Sequence, residues 1–586
     1  MPWAIFYRPS IQLGSLAAYL RDQGEIIVDC AHPYLEVARA IGFDAYNDIS
    51  ASTWAGEALY SALLFPENRQ KAKVLFARQV PARKNDFPLL VNQLKETTTD
   101  WLARQDFSRH TLVGFSICFS QLLASLYCAS RIKAKYPDTA IVFGGSACTP
   151  DLGKSLLATF PWPDYLITGE GERALSDLLR HLAGSGPLPI QALSRQQMPG
   201  PIADDRPNHQ MDINALPCPD YKEYFTELAG QGQPFVPELP IEFSRGCWWN
   251  RCSFCNLNQQ WCGYRWKTSA RVVADVRLLA RRHQCLDFFF TDNALPPAEA
   301  ETFFRDMAGD PGDYRFFAEI RAPKDLEECT LYQRGGLRSI QVGIEALSDS
   351  LLKKMRKGVT VMENIHAMKM ATALNIRLDG NLILEFPGST EEEVRETLHA
   401  LAAVLPFPPL KAASFFLGQG SPVHAEPRRY GIRAITHHAN DRLLFPGPVL
   451  QRLDLLVKGY RGDRTRQKKL WRPVRRQVRT WQRFHKDRKH KKRPALELRD
   501  GGSFLIIRQE RPDQPTLHHR LAGLSRQIYL ACDHPLPKKR LLARFKTVKE
   551  SQLNQFLDGL VQKGLLFSDG RAFLALAVRP EPESQN

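Results

Sequence analysis

Runs of apolar residues, broken at regular intervals by amphipathic stretches, organise most of this chain. Leu112 to Ser116 reads as a buried strand, Leu122 to Ile132 as a helix, and Ala140 to Phe143 as a second strand ending in Gly144-Gly145; the stretch "DYLITGEGE" holds a third, with a helix on either side. This alternation predicts an α/β domain with a parallel, doubly wound sheet covered by helices on both faces. Further on, "LDFFFTDNALPP", "YRFFAEIRA", "LRSIQVGIEALS", "RLDGNLILEFPG" and "KAASFFLGQGSP" are strand-like and are separated by helical stretches such as "SARVVADVRLLARRH" and "TVMENIHAMKMATALN". Repeats of this length predict a (β/α) barrel, open or closed. Trp471, Val474, Val478 and Trp481 then recur at gaps of three, four and three, the single apolar stripe of a helix. Past residue 500, amphipathic helices alternate with a closing pair of short strands around Asp569-Gly570, a small α+β pattern that fits a winged helix. The expected divisions are 1–200, a linker 201–235, the barrel 236–440, a basic helical connector 441–500 and the tail 501–586.

Composition adjusts this picture in three places. At 586 residues and 44% apolar content the chain exceeds one comfortable core, so several domains are expected. No apolar run approaches the roughly 20 residues that span a bilayer, and "MPWA" is not followed by a basic and then an apolar stretch, so a cytoplasmic protein without a membrane partner is expected. The net charge of +17 is local: residues 461 to 493 hold sixteen Lys or Arg against Asp463 and Asp487. That segment reads either as a solvated helix packed on the body of the protein or as a site for an acidic peptide or polyanion.

Candidate chemistry concentrates at two places. In a parallel α/β sheet ligands sit beyond the carboxyl ends of the strands, where Ser116, Gly144, Gly145, Gly169 and Glu170 fall, and glycines there let backbone approach a flat ligand. The spacing G-x-G-x-x-G is absent. The second place is "SRGCWWNRCSFC", with Cys247, Cys252 and Cys255 at gaps of four and two residues. Apart from the group Cys247, Cys252, Cys255 and Cys262, the twelve cysteines are scattered from Cys30 to Cys532 and suggest reduced thiols rather than a disulfide framework. Structural zinc wants four ligands, which Cys262 would have to complete. Three thiolates suit an iron-sulfur cluster with one iron left open for a chelating substrate. Polar residues also gather at the ends of the barrel strands: Asp292, Asn293, Glu319, Arg321, Glu345, Asn381, Glu385 and Gln419.

The cysteine loop resembles that of radical S-adenosylmethionine (SAM) enzymes, and "GFS", "VFGGS" and "ITGEGE" resemble the cobalamin-binding domain that precedes some of them. Together with "MPWAIFYRPSIQLGSLAAYL" and "LFSDGRAFLALAV", the chain is similar to cobalamin-dependent radical SAM C-methyltransferases that mature ribosomally made peptides. This resemblance implies a 4Fe-4S cluster on Cys247, Cys252 and Cys255, SAM near Phe254, Glu345, Asn381 and Glu385, and cobalamin near Ser116, Gly144, Gly145, Gly169 and Glu170. The sequence D-x-H-x-x-G, which would supply cobalt with a lower histidine ligand, is missing. The implied activity is methylation of an unactivated carbon of a peptide, such as a leader-bearing precursor, with an electron donor such as flavodoxin or ferredoxin. Two other readings stand beside it: radical cyclisation or oxidation without methyl transfer, and a zinc-stabilised nucleic-acid-binding protein. The latter is disfavoured because the recognition-helix candidate "SQLNQFLDGLVQKG" offers only Lys563 to phosphate.

Overall fold

The computed structural model describes residues 1–24, 26–80, 86–197, 211–229, 235–261, 263–323, 325–491 and 493–579. Cys262 and much of the expected linker 201–235 lie outside them.

Among the described residues, six α-helices between Ile11 and Ala103 precede the first strand. Strands Leu112–Ser116, Ala140–Gly144 and Tyr165–Ile167 then pair in parallel, and Ala192–Ser194 joins the last of them antiparallel. The strand order follows the chain without reversal. The expected doubly wound order is therefore corrected. A second winding needs later strands that return to the far edge of Leu112–Ser116, and among the described residues none pairs there; the fourth strand continues past the third instead. Helix Ala55–Leu64, buried along most of its length, packs against Leu122–Lys135 and helps build this first core.

The barrel is built from Leu239–Ile241, Asp287–Phe290, Arg315–Ile320, Leu337–Val342 and Arg377–Asp379, all parallel and in chain order. At Gly380 the fifth strand changes neighbours: Arg377–Asp379 pairs back to Leu337–Val342, while Asn381–Leu384 pairs forward to Lys411–Ser414. The result is a six-stranded partial barrel, with helices between successive strands. Along Arg315–Ile320, Phe316, Ala318 and Ile320 are buried under the helices, and Phe317 and Glu319 take the opposite face, as the two-residue strand period requires. Phe289 and Phe317 stack there at 4.4 Å across neighbouring strands.

Beyond the barrel the divisions are less sharp than the sequence suggests. Strand Val457–Arg461 pairs with both Leu417–Gly418 and Ala434–His437, so one antiparallel sheet straddles residue 440. Leu444, Phe445, Leu450, Leu453 and Leu455 belong to the N-terminal core. Helix Arg472–Asp487 lies on the barrel helix Glu391–Val404 with Trp471, Val474, Val478 and Trp481 at most 1% exposed, the predicted stripe in full. Trp481 Nε1 donates to the Phe407 carbonyl at 2.8 Å. Three antiparallel strands, Leu496–Asp500, Phe504–Arg511 and Gln514–Ala522, follow where none was expected. The tail has helices Gly523–Ala531, Lys538–Arg544 and Glu550–Gln562, and adds a third strand, Leu536–Pro537, to the anticipated pair Leu566–Ser568 and Ala572–Ala575. No helix among the described residues is long and apolar enough to cross a membrane.

Candidate active site

The cysteine loop leaves the carboxyl end of the first barrel strand and is closed at its base by pairing of Ser244–Arg245 with Arg265–Trp266. Gly246, just before Cys247, sits at φ +87°, and a Cβ there would lie 2.7 Å from the Gly263 carbonyl oxygen, so the turn admits no side chain. The loop is pinned from outside by backbone groups. Ser253 donates its N–H to the Met355 carbonyl (2.9 Å) and its hydroxyl to that of Lys354 (3.2 Å), and Trp249 Nε1 donates to the Arg356 carbonyl (2.9 Å). On the other flank, Val423 N–H reaches the Ser253 carbonyl and the Asn256 amide donates to the Gln419 carbonyl.

The three thiols lie within electrostatic reach of one another. Burial pushes the Cys252 thiol up and that of Cys255 to about 11, the neighbouring thiols push the same way, and the Lys357 ammonium opposes them. Yet among the described residues no three His, Cys, Asp or Glu side chains converge tightly enough for a single metal ion. Three thiols on one short loop fall short of the four ligands of a structural zinc and suit a cluster with one iron left open. The donor set therefore fits the cluster that the resemblance implies.

Beside the thiols the barrel mouth is acidic and partly neutralised. Glu345, at φ +59°, stands 3.4 Å from Lys357 Nζ; burial pushes its carboxyl up and Lys357 opposes this. One layer deeper, burial and the Glu345 charge lift Glu319 to about 7, against Lys357 and a hydrogen bond from Gln341. Arg321 stacks on Trp249 at 4.4 Å and on Trp248 at 5.2 Å, and donates to the Lys357 carbonyl at 2.7 Å. Phe254 is half-buried against the barrel core, and Asn381 is half-buried on the lumen face of its strand. Glu385 does not pair with Arg321 or Arg377: Arg475 of the basic helix takes it at 2.7 and 3.0 Å and also holds Ser414 Oγ. Asp292 is a brace rather than a lumen group, accepting from Phe243 N–H and the Ser244 hydroxyl, with burial lifting it to about 7.

The carboxyl ends of the first sheet face this mouth. Glu170 and Glu172 reach across to Arg245, two residues before Cys247, at 3.0 and 2.5 Å; Glu242 meets the same guanidinium at 2.8 Å, and Arg265 also pairs with Glu170. Burial alone would push Glu172 up, but Arg245 outweighs it and the carboxyl is held below its ordinary range. Across the gap, Gln419 donates to Asp151 (3.0 Å) and Asp454 (3.2 Å). Ser116 and Gly144 stand at the strand ends as expected. Gly145 (φ +103°) is glycine for a packing reason, since a Cβ would lie 2.7 Å from the Ile117 backbone. Gly169 is also at positive φ.

The structure thus gathers Cys247, Cys252, Cys255, Glu319, Arg321 and Glu345 at one mouth and sets Glu170 against the base of the cysteine loop. Lys357, Arg245, Gln341 and Arg475 escaped the sequence reading. Arg245 sits inside the loop segment "SRGCWWNRCSFC", where charge beside the cysteines was the available signal.

A partial barrel with a three-thiol loop after its first strand defines the class to which the comparisons point. Residues 241–401 match the model of the radical SAM superfamily, and this stretch is a radical SAM domain. The chain is 26% identical over 297 residues to an uncharacterized methyltransferase, PH0819, of Pyrococcus horikoshii (49% of this chain, 63% of that protein). It is 26% identical over 331 residues to the hopanoid C-3 methylase of Methylococcus capsulatus (53% of this chain, 60% of that protein). The chain therefore spans about three fifths of the length of these curated relatives. Among solved structures it is similar to the radical SAM methyltransferase TsrM of Kitasatospora setae, with 17% identity, a TM-score of 0.49, and coverage of 73% of this chain and 86% of that one.

Proposed function

We propose that this protein is a cobalamin-dependent radical SAM methyltransferase acting on an unactivated carbon, with a peptide as its substrate. The observation that carries the reading is the facing of two sets of strand ends: a three-thiol loop at the barrel mouth, and a second parallel sheet tied to that loop through Arg245, Glu170 and Glu172. Two relatives named as methyl-transferring proteins support the reaction type. When bound, the cluster would supply the electron that cleaves SAM and the corrin would carry a methyl group. The chain's own residues do the rest. Cys247, Cys252 and Cys255 would ligate the cluster. Lys357 neutralises Glu345, leaving that carboxylate able to accept hydrogen bonds from a polar cofactor, and Glu319 with Gln341 forms a polar floor. Trp248 and Trp249, braced by Arg321, wall the mouth and limit water.

The test is anaerobic reconstitution with iron, sulfide and cobalamin, followed by incubation with SAM, reductant and leader-bearing candidate peptides. Formation of 5'-deoxyadenosine together with S-adenosylhomocysteine, and a peptide heavier by one methyl, is the expected result. 5'-Deoxyadenosine without S-adenosylhomocysteine would favour non-methylating radical chemistry, and a colourless zinc protein would overturn the reading.

A further inference from the structure

The segment that pins the cysteine loop has two faces. Lys357 turns inward to Glu345, while Lys353 and Arg356, four and one positions before it, stay exposed and, among the described residues, form no ion pair. With Lys354 and Arg429 they line a surface hollow of about 160 Å³, completed by Pro387, Gly388 and Tyr430. Lys354 is occupied by Glu393 and the Gly388 carbonyl, and Arg429 by Glu426, so the net charge of the hollow comes from Lys353 and Arg356. Its wall is the backbone of residues 354 to 356, whose three carbonyls accept hydrogen bonds from Ser253 and Trp249 of the cysteine loop. The hollow's backbone wall is thus bonded directly to the loop that carries the thiols.

The positive surface continues from there. Gly388 N–H donates to Asp463, and the Gln467 amide to the Ser389 carbonyl, so the basic segment starts at the rim of the hollow. Along helix Arg472–Asp487 the exposed Arg472, Arg476, Arg479, Arg483 and Lys486 make a row on the solvent face and form no ion pair among the described residues. The helix buries its tryptophans and phenylalanine, so this row presents no exposed ring on which bases could stack and no apolar edge for a bilayer.

We infer that the hollow formed by Lys353, Arg356 and Arg429, extended by the basic helix, is the docking surface for an acidic, low-potential one-electron carrier protein. The inference rests on the reading of the three cysteines as cluster ligands. The geometry supplies what such a partner needs: positive charge to meet a carboxylate-rich face, and a short, hydrogen-bonded path from the surface to the loop. In the step itself the carrier loses one electron and the cluster gains it; no bond is made or broken and no atom is transferred.

The experiment compares the cluster-loaded wild type with Lys353→Glu/Arg356→Glu, using a reduced acidic FMN-containing carrier protein in one arm and dithionite in the other. Cluster reduction is followed by stopped-flow absorbance and by electron paramagnetic resonance, and binding of the oxidised carrier by titration calorimetry. The variant is expected to be reduced by the carrier at least about tenfold more slowly at low salt, with weaker binding, and to match wild type with dithionite. Raising the salt should narrow the difference. Equal carrier-driven rates in the two proteins would overturn the docking surface while leaving the cluster reading intact, as would a loss seen only on reversing Arg476, Arg479 and Arg483. A wild type whose colour and resonance do not respond to dithionite would refute the cluster reading and this inference with it.

Discussion

Replacing Arg245 with methionine tests how strongly the two halves of the site are bound together. The guanidinium is 4% exposed and satisfies Glu172, Glu170 and Glu242 at 2.5 to 3.0 Å, with Glu172 itself only 6% exposed. Methionine fills similar volume but leaves a buried carboxylate without its partner, a change that costs about 3–5 kcal/mol. For a cooperative unit of some 200 residues that corresponds to a fall in melting temperature on the order of 10 °C. The sign of the pH dependence follows from Glu172. In wild type its folded pKa is depressed, so its stabilising contribution is present above the unfolded value near 4.5 and is lost as pH falls through the folded value. Without Arg245 burial dominates, the folded pKa rises above 4.5, and the deficit is largest at pH 7–8 and shrinks toward pH 5. Thermal melts of the metal-free protein followed by circular dichroism at pH 5.5 and 7.5 measure both. A deficit below about 1 kcal/mol, or one of equal size at the two pH values, would refute the argument that this guanidinium compensates buried charge.

Three further outcomes are expected. Cys252→Ala should remove the brown 4Fe–4S absorbance after reconstitution while leaving the far-ultraviolet spectrum intact, since the Ser253 and Trp249 backbone anchors remain; retained iron would argue against Cys252 as a ligand. Glu319→Gln should abolish a pH dependence: in wild type this group's stabilising contribution is fully present below about pH 4.5 and is lost as pH rises through about 7, because burial favours the protonated carboxyl, whereas the neutral amide keeps it at every pH. Melting curves of the two proteins between pH 5 and 8 should therefore converge at the acid end and differ at the alkaline end. Trp481→Ala should cost about 3–5 kcal/mol and expose the basic segment to trypsin, because it empties a fully buried site and strands the Phe407 carbonyl.

How far sequence carries depends on which signal an element leaves in it. The strand Leu112–Ser116 and the stripe on Arg472–Asp487 are local patterns, written in consecutive residues, and both formed as read. Strand order leaves no such trace. The same βαβ units can wind once or twice, and among the described residues this sheet winds once, its strands adding in chain order. The sheet Leu496–Ala522 was missed because strand Gln514–Ala522 is mostly exposed and polar, so it lacks the apolar alternation that marks a half-buried strand. At the site, cysteine spacing exposed the loop, but the partners of Glu170 and Glu385 came from charged residues 75 and 90 positions away. Periodicity is blind to pairs at that separation, and a buried arginine looks like a surface one until its neighbours are known.

The opposed strand ends are fastened at two rims, by Arg245 and Arg265 to Glu170 and Glu172 on one side and by Gln419 to Asp151 on the other. Prising the halves apart would expose several interlocked charges at once, so a bulky planar guest does not enter by a jaw-like opening. A guest added to the finished chain is therefore expected to load slowly, which the rate of cobalamin uptake during reconstitution measures.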